Sequence, residues 1–174
     1  MSVDEAFFAE LRRVLGDRIL SYEADDVPTI VVEASDLYDA VAALRDDETL
    51  AFRFLTTLFG MHYPTNAEPA NAEPATGERL GVQVLLQNMS AGRRLRLTCT
   101  LPVERPELRS LTPLFPSANW MERETYDFFG IRFLGHPNLK RILNIETMTV
   151  FPMRKDFPLE DQSRDDKDDR MFGR

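Results

Sequence analysis

The sequence predicts an α+β fold in which helices pack on a small mixed β-sheet and an extended C-terminal arm follows. Three observations predict it. Apolar residues recur at helical spacing in three segments, 4–15, 37–44 and 118–129. Strand-like runs stand at 27–33, 80–88 and 94–101. Regular periodicity stops after Gly135, and residues 160–174 are dominated by charge.

The elements follow in order. Phe7, Phe8, Leu11, Val14 and Leu15 make one helix face, which Asp4 can cap and Gly16 ends. Val27–Glu33 carries the β-branched residues of a buried strand. Ser35 is placed to cap a second helix, whose face is Leu37, Ala40, Val41 and Leu44. Ala51–Tyr63 reads as a short helical turn and then a strand near Thr56–Tyr63. Residues 64–79 hold a tandem duplication, Asn66–Ala70 followed by Asn71–Ala75, which marks an insertion at an exposed loop tip.

Leu80–Asn88 and Arg94–Leu101 form a hairpin about Ser90-Ala91-Gly92. Leu95, Leu97, Cys99 and Leu101 alternate with Arg94, Arg96, Thr98 and Thr100, so the first set faces the core and the second faces solvent or a partner. Pro102–Pro116 is a connection. A helix runs over Ser117–Phe129, with Ser117 as cap and Gly130 as stop, and Ile131–Phe133 is a short strand. One domain is expected over 1–159, with a charged tail at 160–174.

Composition excludes several classes of function. The net charge is −8, which opposes nucleic acid and anionic lipid surfaces. The longest apolar stretch, Leu50–Tyr63, is too short and too polar to span a bilayer. Met1–Glu5 lacks the basic and apolar regions of a secretory signal, so a cytosolic chain, or one attached to a membrane complex, is expected. The one cysteine, Cys99, cannot hold a cluster by itself, and its strand position reads as core packing. The sequence has no phosphate-binding loop, no GxGxxG and no CxxC. His62 and His136 lie far apart, and His136, in Gly-His-Pro, reads as a structural hydrogen-bonding residue. Asp165, Asp166, Asp168 and Asp169 lack the glycine and terminal glutamate of a calcium loop.

Projected at about 100° per residue, Ala118–Gly130 puts Met121, Thr125, Tyr126, Phe128 and Phe129 on one side. Arg123, Glu124 and Asp127 fall on the other. Two residues are out of place: Glu122 among the apolar ones and Trp120 among the charged ones. A buried carboxylate needs a partner, so Glu122 is expected to meet a cation such as Arg141, Arg154 or Lys155. Trp120 and the charged face are expected to contact another subunit. Arg123 and Asp127 stand at i, i+4 and could pair. Pro152–Leu159 places Arg154, Lys155 and Asp156 between prolines, which suits an extended strap on a partner surface.

The segment Ser110–Leu159 resembles the 30-kDa subunit family of complex I, the C-type subunits of NADH-quinone oxidoreductase. The resemblance rests on Asn119-Trp120, Glu122-Arg123-Glu124, Tyr126-Asp127, Phe129-Gly130-Ile131, Gly135-His136-Pro137, Arg141-Ile142-Leu143 and Pro152–Leu159, in order over about fifty residues. The chain departs from the family at His62, where an aspartate often stands, and at Ile145–Val150, in place of Pro-Asp-Asp-Trp-x-Gly. The resemblance implies a non-catalytic, cofactor-free subunit of the peripheral arm of proton-translocating NADH:quinone oxidoreductase. FMN and iron–sulfur clusters would then reside in partner subunits. It implies the 49-kDa-type (D) subunit as chief partner, beside neighbouring cluster-bearing subunits, on the cytoplasmic face of the inner membrane. A related membrane-bound hydrogenase, or another complex-I-like oxidoreductase, could use the same subunit. A free-standing enzyme using His62, His136 or the acidic tail is the reading of a different class.

Overall fold

The computed structural model describes residues 3–65 and 77–157. The elements are α1 (Val3–Leu15), β1 (Ser21–Glu23), β2 (Thr29–Val31), α2 (Leu37–Asp46), β3 (Phe54–Tyr63) and β4 (Arg79–Asn88). They continue with β5 (Arg93–Pro102), β6 (Glu107–Arg109), α3 (Ala118–Phe129) and β7 (Arg132–Leu134). Three helices pack on a mixed five-stranded sheet, and the fold is α+β. The tandem repeat and the 160–174 tail lie outside the described residues.

The sheet order is β1-β2-β5-β4-β3; only the β2–β5 pair is parallel. Period two in β4 and β5 puts Leu80, Val82, Val84 and Leu86 beside Leu101, Cys99, Leu97 and Leu95 in one register. All eight are at most 3% exposed. They form one core with Leu11 and Leu15 of α1, Leu37, Ala40, Val41 and Leu44 of α2, and Leu55 and Leu58 of β3. Burial pushes the Cys99 thiol up to about 12, so at neutral pH it packs as a small apolar residue. On the other face Arg94 is exposed, but Thr98 is buried between β2 and β4.

Several local expectations are corrected. The first helix begins at Val3, so Asp4 lies inside its first turn. Ser35 sits in a turn, and α2 begins at Leu37 after Asp36, whose side chain makes no cap bond. The helical turn lies earlier than expected, closed by Ala51 N–H to Asp47 O, and β3 starts at Phe54. Ser117 holds the cap position of α3 without a side-chain bond. Two short strands were invisible in the sequence: β1, and β6 inside the 102–116 connection. β6 pairs in parallel with β7 at Glu107↔Arg132, a partner with no local signal.

Two glycines set the position of α3. At Gly60 on β3, an added Cβ would stand 2.7 Å from Phe129 Cδ2 and 2.9 Å from Thr125 Cγ2, so the missing side chain lets helix and sheet meet. Gly130 ends α3 at φ +77°, and its N–H bonds Tyr126 O. A Cβ there would stand 2.5 Å from the Phe151 ring. Gly130→Ala therefore combines left-handed strain with overpacking, and a loss of about 2 kcal/mol is expected from the denaturant midpoint.

Candidate functional site

The polar chemistry of this chain gathers around α3. The amphipathic projection assumes one buried face, but α3 is covered twice. Thr125 and Phe129 face β3, and the segment after Leu139 lies across the opposite side. Asp127, expected on an outward charged face, is fully buried. Its Oδ1 accepts from Arg141 Nη1 at 2.8 Å and from Asn144 Nδ2 at 3.0 Å. Its Oδ2 accepts the backbone N–H groups of Ile142, Leu143 and Asn144 at 3.0, 2.8 and 3.0 Å. Arg141 also donates to Asp127 O at 2.7 Å and to Met148 O at 2.7 Å. Burial alone would raise the Asp127 pKa. The donors from Asn144, Leu143, Arg141 and Ile142 outweigh it and hold the carboxyl well below the usual range. One carboxylate thus clasps residues 141–150 onto the helix.

Arg123 does not pair with Asp127. It donates to Lys140 O at 3.0 Å and Arg141 O at 3.4 Å, and its guanidinium lies 4.8 Å from the Trp120 ring centroid. Trp120 is 64% exposed, while Glu124 is exposed and stands beside the clasp rather than in it. The 145–150 link needs no positive φ: among the described non-glycine residues only Ala51 has one. Arg141 holds that link by its carbonyls instead.

Glu122 is buried, but the expected cation is not there. Its Oε2 lies 2.7 Å from Ser110 Oγ, and its Oε1 accepts Leu111 N–H at 2.6 Å. Ser110 Oγ continues to Thr112 Oγ1 at 2.7 Å. Neutral donors stabilise a carboxylate less than a guanidinium does, so burial pushes the Glu122 pKa up to about 7. Arg141 is spent on Asp127, Arg154 Nε donates to Phe129 O, and Lys155 is exposed.

Over 152–157 the expected extended strap is turned rather than extended. Turns closed by Arg154 N–H to Phe151 O and by Phe157 N–H to Arg154 O fold it onto this chain's own helix end. Pro152 at the second position of the first turn suits that geometry. Met153 N–H reaches Phe128 O, and Lys155 N–H donates to His62 Nδ1 at 2.7 Å.

His62 was missed as a junction because its neighbours lie in other segments. With Glu78 and Asp156 it brings a ring nitrogen and two carboxylates within 4.8 Å of one another. The ring argues against a metal. Nδ1 accepts an N–H, so the neutral ring carries its proton on Nε2, 2.6 Å from Glu78 Oε1 though outside hydrogen-bonding angles. A ligating histidine instead donates from its second nitrogen. His136 makes the structural bonds expected of it: Nε2 lies 3.1 Å from Asn119 O, and Nδ1 accepts Asn138 N–H.

A family model described as "Respiratory-chain NADH dehydrogenase, 30 Kd subunit" matches residues 30–163. The chain belongs to this family. The match to the 30 Kd subunit model covers β3, β4 and β5 of the sheet, most of β2, and the clasp. The chain is 37% identical over 156 residues to the C-type subunit of NADH-quinone oxidoreductase from Mycolicibacterium gilvum, covering 90% of this chain and 62% of that one. It is 40% identical over 131 residues to the protein of the same name from Nocardioides sp., covering 75% and 49%. For the Burkholderia multivorans protein the figures are 40% over 157 residues, 89% and 76%. The chain thus spans about half to three-fifths of the first two relatives. Among solved structures, a trypsin-resistant fragment of Nqo5 aligns with TM-score 0.59 at 28% identity, over 78% of this chain and 98% of the fragment. A chain of an archaeal membrane-bound sulfane sulfur reductase shares the fold, with TM-score 0.70 at 17% identity over 89% of this chain and 85% of that one.

Proposed function

We propose that this 30 Kd family chain is the C-type subunit of a proton-translocating NADH:quinone oxidoreductase, serving as a cofactor-free scaffold. In this reading it holds the 49-kDa-type subunit in the hydrophilic arm, on the cytoplasmic face of the membrane. Flavin and iron–sulfur clusters sit in partner subunits. The observation that carries the reading is the Asp127 clasp. The most developed polar constellation of the described residues has its donors and acceptors occupied by this chain, so it shapes a surface rather than performing a reaction. Cys99 is likewise held neutral by burial, and His62 Nδ1 is occupied by a backbone donor. No helix among the described residues is long and apolar enough to cross a membrane; in this reading the chain attaches through other subunits.

A second reading places the chain in a complex-I-like oxidoreductase with another electron donor or acceptor, such as a membrane-bound hydrogenase. The fold shared with the sulfane sulfur reductase chain favours keeping it, because this fold serves more than one respiratory complex. Affinity purification of the tagged full chain from native membranes separates them. Co-recovery of flavin- and cluster-bearing subunits with NADH:quinone activity is expected. Hydrogenase subunits in their place would select the second reading. Recovery with no membrane-bound redox subunit would overturn both.

A further inference from the structure

His62 stands where three separate pieces of the chain meet. It lies near the end of β3, Glu78 leads into β4, and Lys155 and Asp156 belong to the turn that folds back onto α3. Its side chain is fully buried, whereas those of Glu78 and Asp156 are 39% and 65% exposed.

The neutral ring cannot satisfy everything around it. Nδ1 accepts Lys155 N–H at 2.7 Å, which leaves the ring proton on Nε2. That nitrogen is buried without a hydrogen-bond partner, although Glu78 Oε1 stands 2.6 Å away. A buried donor left in this way is destabilising. A second proton reverses the balance. The charged ring is attracted by Glu78 at Nε2 whatever the bond angle, and Asp156 Oδ1, 3.8 Å from Nδ1, can take up the new donor. The same proton sets Nδ1–H against Lys155 N–H, donor against donor, so that bond is lost. Histidine is the side chain that makes this change of charge between about pH 5 and pH 8.

Other charges bear on the ring. In the turn, Arg154 interacts with Asp156 and Glu78 and so competes with a charged ring for them, while Lys155 is exposed. Arg79 is paired in register with Tyr63, which puts both on the opposite face of the sheet from His62. Thr125 and Phe129, which α3 presents to β3 beside Gly60, carry no charge. The ring therefore faces two carboxylates and one guanidinium.

The rest of the turn does not hang on His62. Arg154 N–H bonds Phe151 O, Met153 N–H bonds Phe128 O, and Arg154 Nε donates to Phe129 O. Loss of the Lys155 bond frees the stretch from Lys155 onward and leaves Phe151–Arg154 on the helix end.

We propose that His62 is a proton-operated latch. The neutral ring ties Lys155 to β3; the protonated ring releases it and turns to the carboxylates of Glu78 and Asp156. The device belongs to this chain alone, so it stands or falls independently of the assembly proposed above.

Nitrogen-15 NMR of the full chain tests it between about pH 8 and about pH 5. Two quantities are followed: the ring-nitrogen shifts of His62, and the exchange protection of backbone amides relative to an unstructured peptide at the same pH. At the alkaline end Nδ1 should show the shift of an unprotonated nitrogen, with the Lys155 amide protected. As the ring gains its second proton, Lys155 protection should fall about 5-fold, the size of one net hydrogen bond, with the same midpoint. The Arg154 amide should keep its protection throughout. His62→Asn supplies an amide oxygen near the place of Nδ1 and has no proton to gain in this range, so its Lys155 protection should not vary with pH. Lys155 protection that persists while the ring titrates would overturn the latch, as would a ring that stays neutral down to about pH 5. Equal loss at Arg154 would mark general loosening of the turn and overturn it too. So would a folded His62→Asn with the pH dependence of wild type; if that variant does not fold, the two wild-type titrations decide alone.

Discussion

Asp127→Ala is expected to destabilise the chain by about 3–5 kcal/mol, because it leaves the nearly buried guanidinium of Arg141 without its counter-charge. That is a large share of the stability of an ordinary domain. The loss is asymmetric. Arg141→Ala leaves Asp127 with four of its five donors, those of Ile142, Leu143, Asn144 and the Asn144 amide. It should cost less, about 1–3 kcal/mol. Amide exchange provides the second readout. In Asp127→Ala the protection of Ile142, Leu143 and Asn144 should vanish, while amides of the β4–β5 ladder keep theirs until global unfolding. Equal losses in the two variants, or loop amides that stay protected in Asp127→Ala, would show that the clasp is not what holds residues 141–150.

Glu122→Gln should change how stability depends on pH rather than simply lower it. The Glu122 pKa is raised in the fold to about 7 from 4.5, so the folded state favours the protonated acid. Its contribution is fully present below about pH 4.5, declines as pH rises, and is lost above about pH 7. The swing is about 3 kcal/mol. A glutamine keeps an acceptor for Leu111 N–H and offers a donor to Ser110 Oγ, and it has no charge to desolvate. The variant should match wild type to within about 1 kcal/mol at pH 5 and exceed it by about 1–3 kcal/mol at pH 8.5. Urea midpoints across that range provide the measurement; parallel pH profiles for the two proteins would show that Glu122 does not titrate with folding. Asp127 acts in the opposite sense. Its depressed pKa contributes stability above the ordinary carboxylate range, which is lost only as acid brings the pH down through its folded value. The two carboxylates of one helix therefore pull in opposite directions.

Much of the fold was legible in particular residues. Alternation in Arg94–Leu101 placed Leu95, Leu97, Cys99 and Leu101 in the core, where they lie. Ser90-Ala91-Gly92 located the hairpin turn, and Gly130 stopped α3 at the residue where the helix ends. These features follow from short-range geometry: two residues per strand repeat, 3.6 per helical turn, and a glycine where φ is positive. The fifty-residue string from Ser110 to Leu159 carried the family, and the matched family model spans all of it.

Periodicity, turn residues and one long motif were enough for the α+β class, the core face of the hairpin, the extent of α3 and membership of the 30 Kd subunit family. Tertiary structure alone decided what meets α3. Glu122 was expected to find a cation and found Ser110 and the Leu111 amide; Asp127 was expected on an outward charged face and lies under Arg141 and Asn144. β6 found β7 across the helix, and Lys155 found His62 from 93 residues away. The reason is the same in each case. Periodicity reports which face of an element is apolar, but it is blind to a second layer laid on the polar face. Whether a carboxylate there is solvated or buried depends on donors that only the folded chain brings within reach.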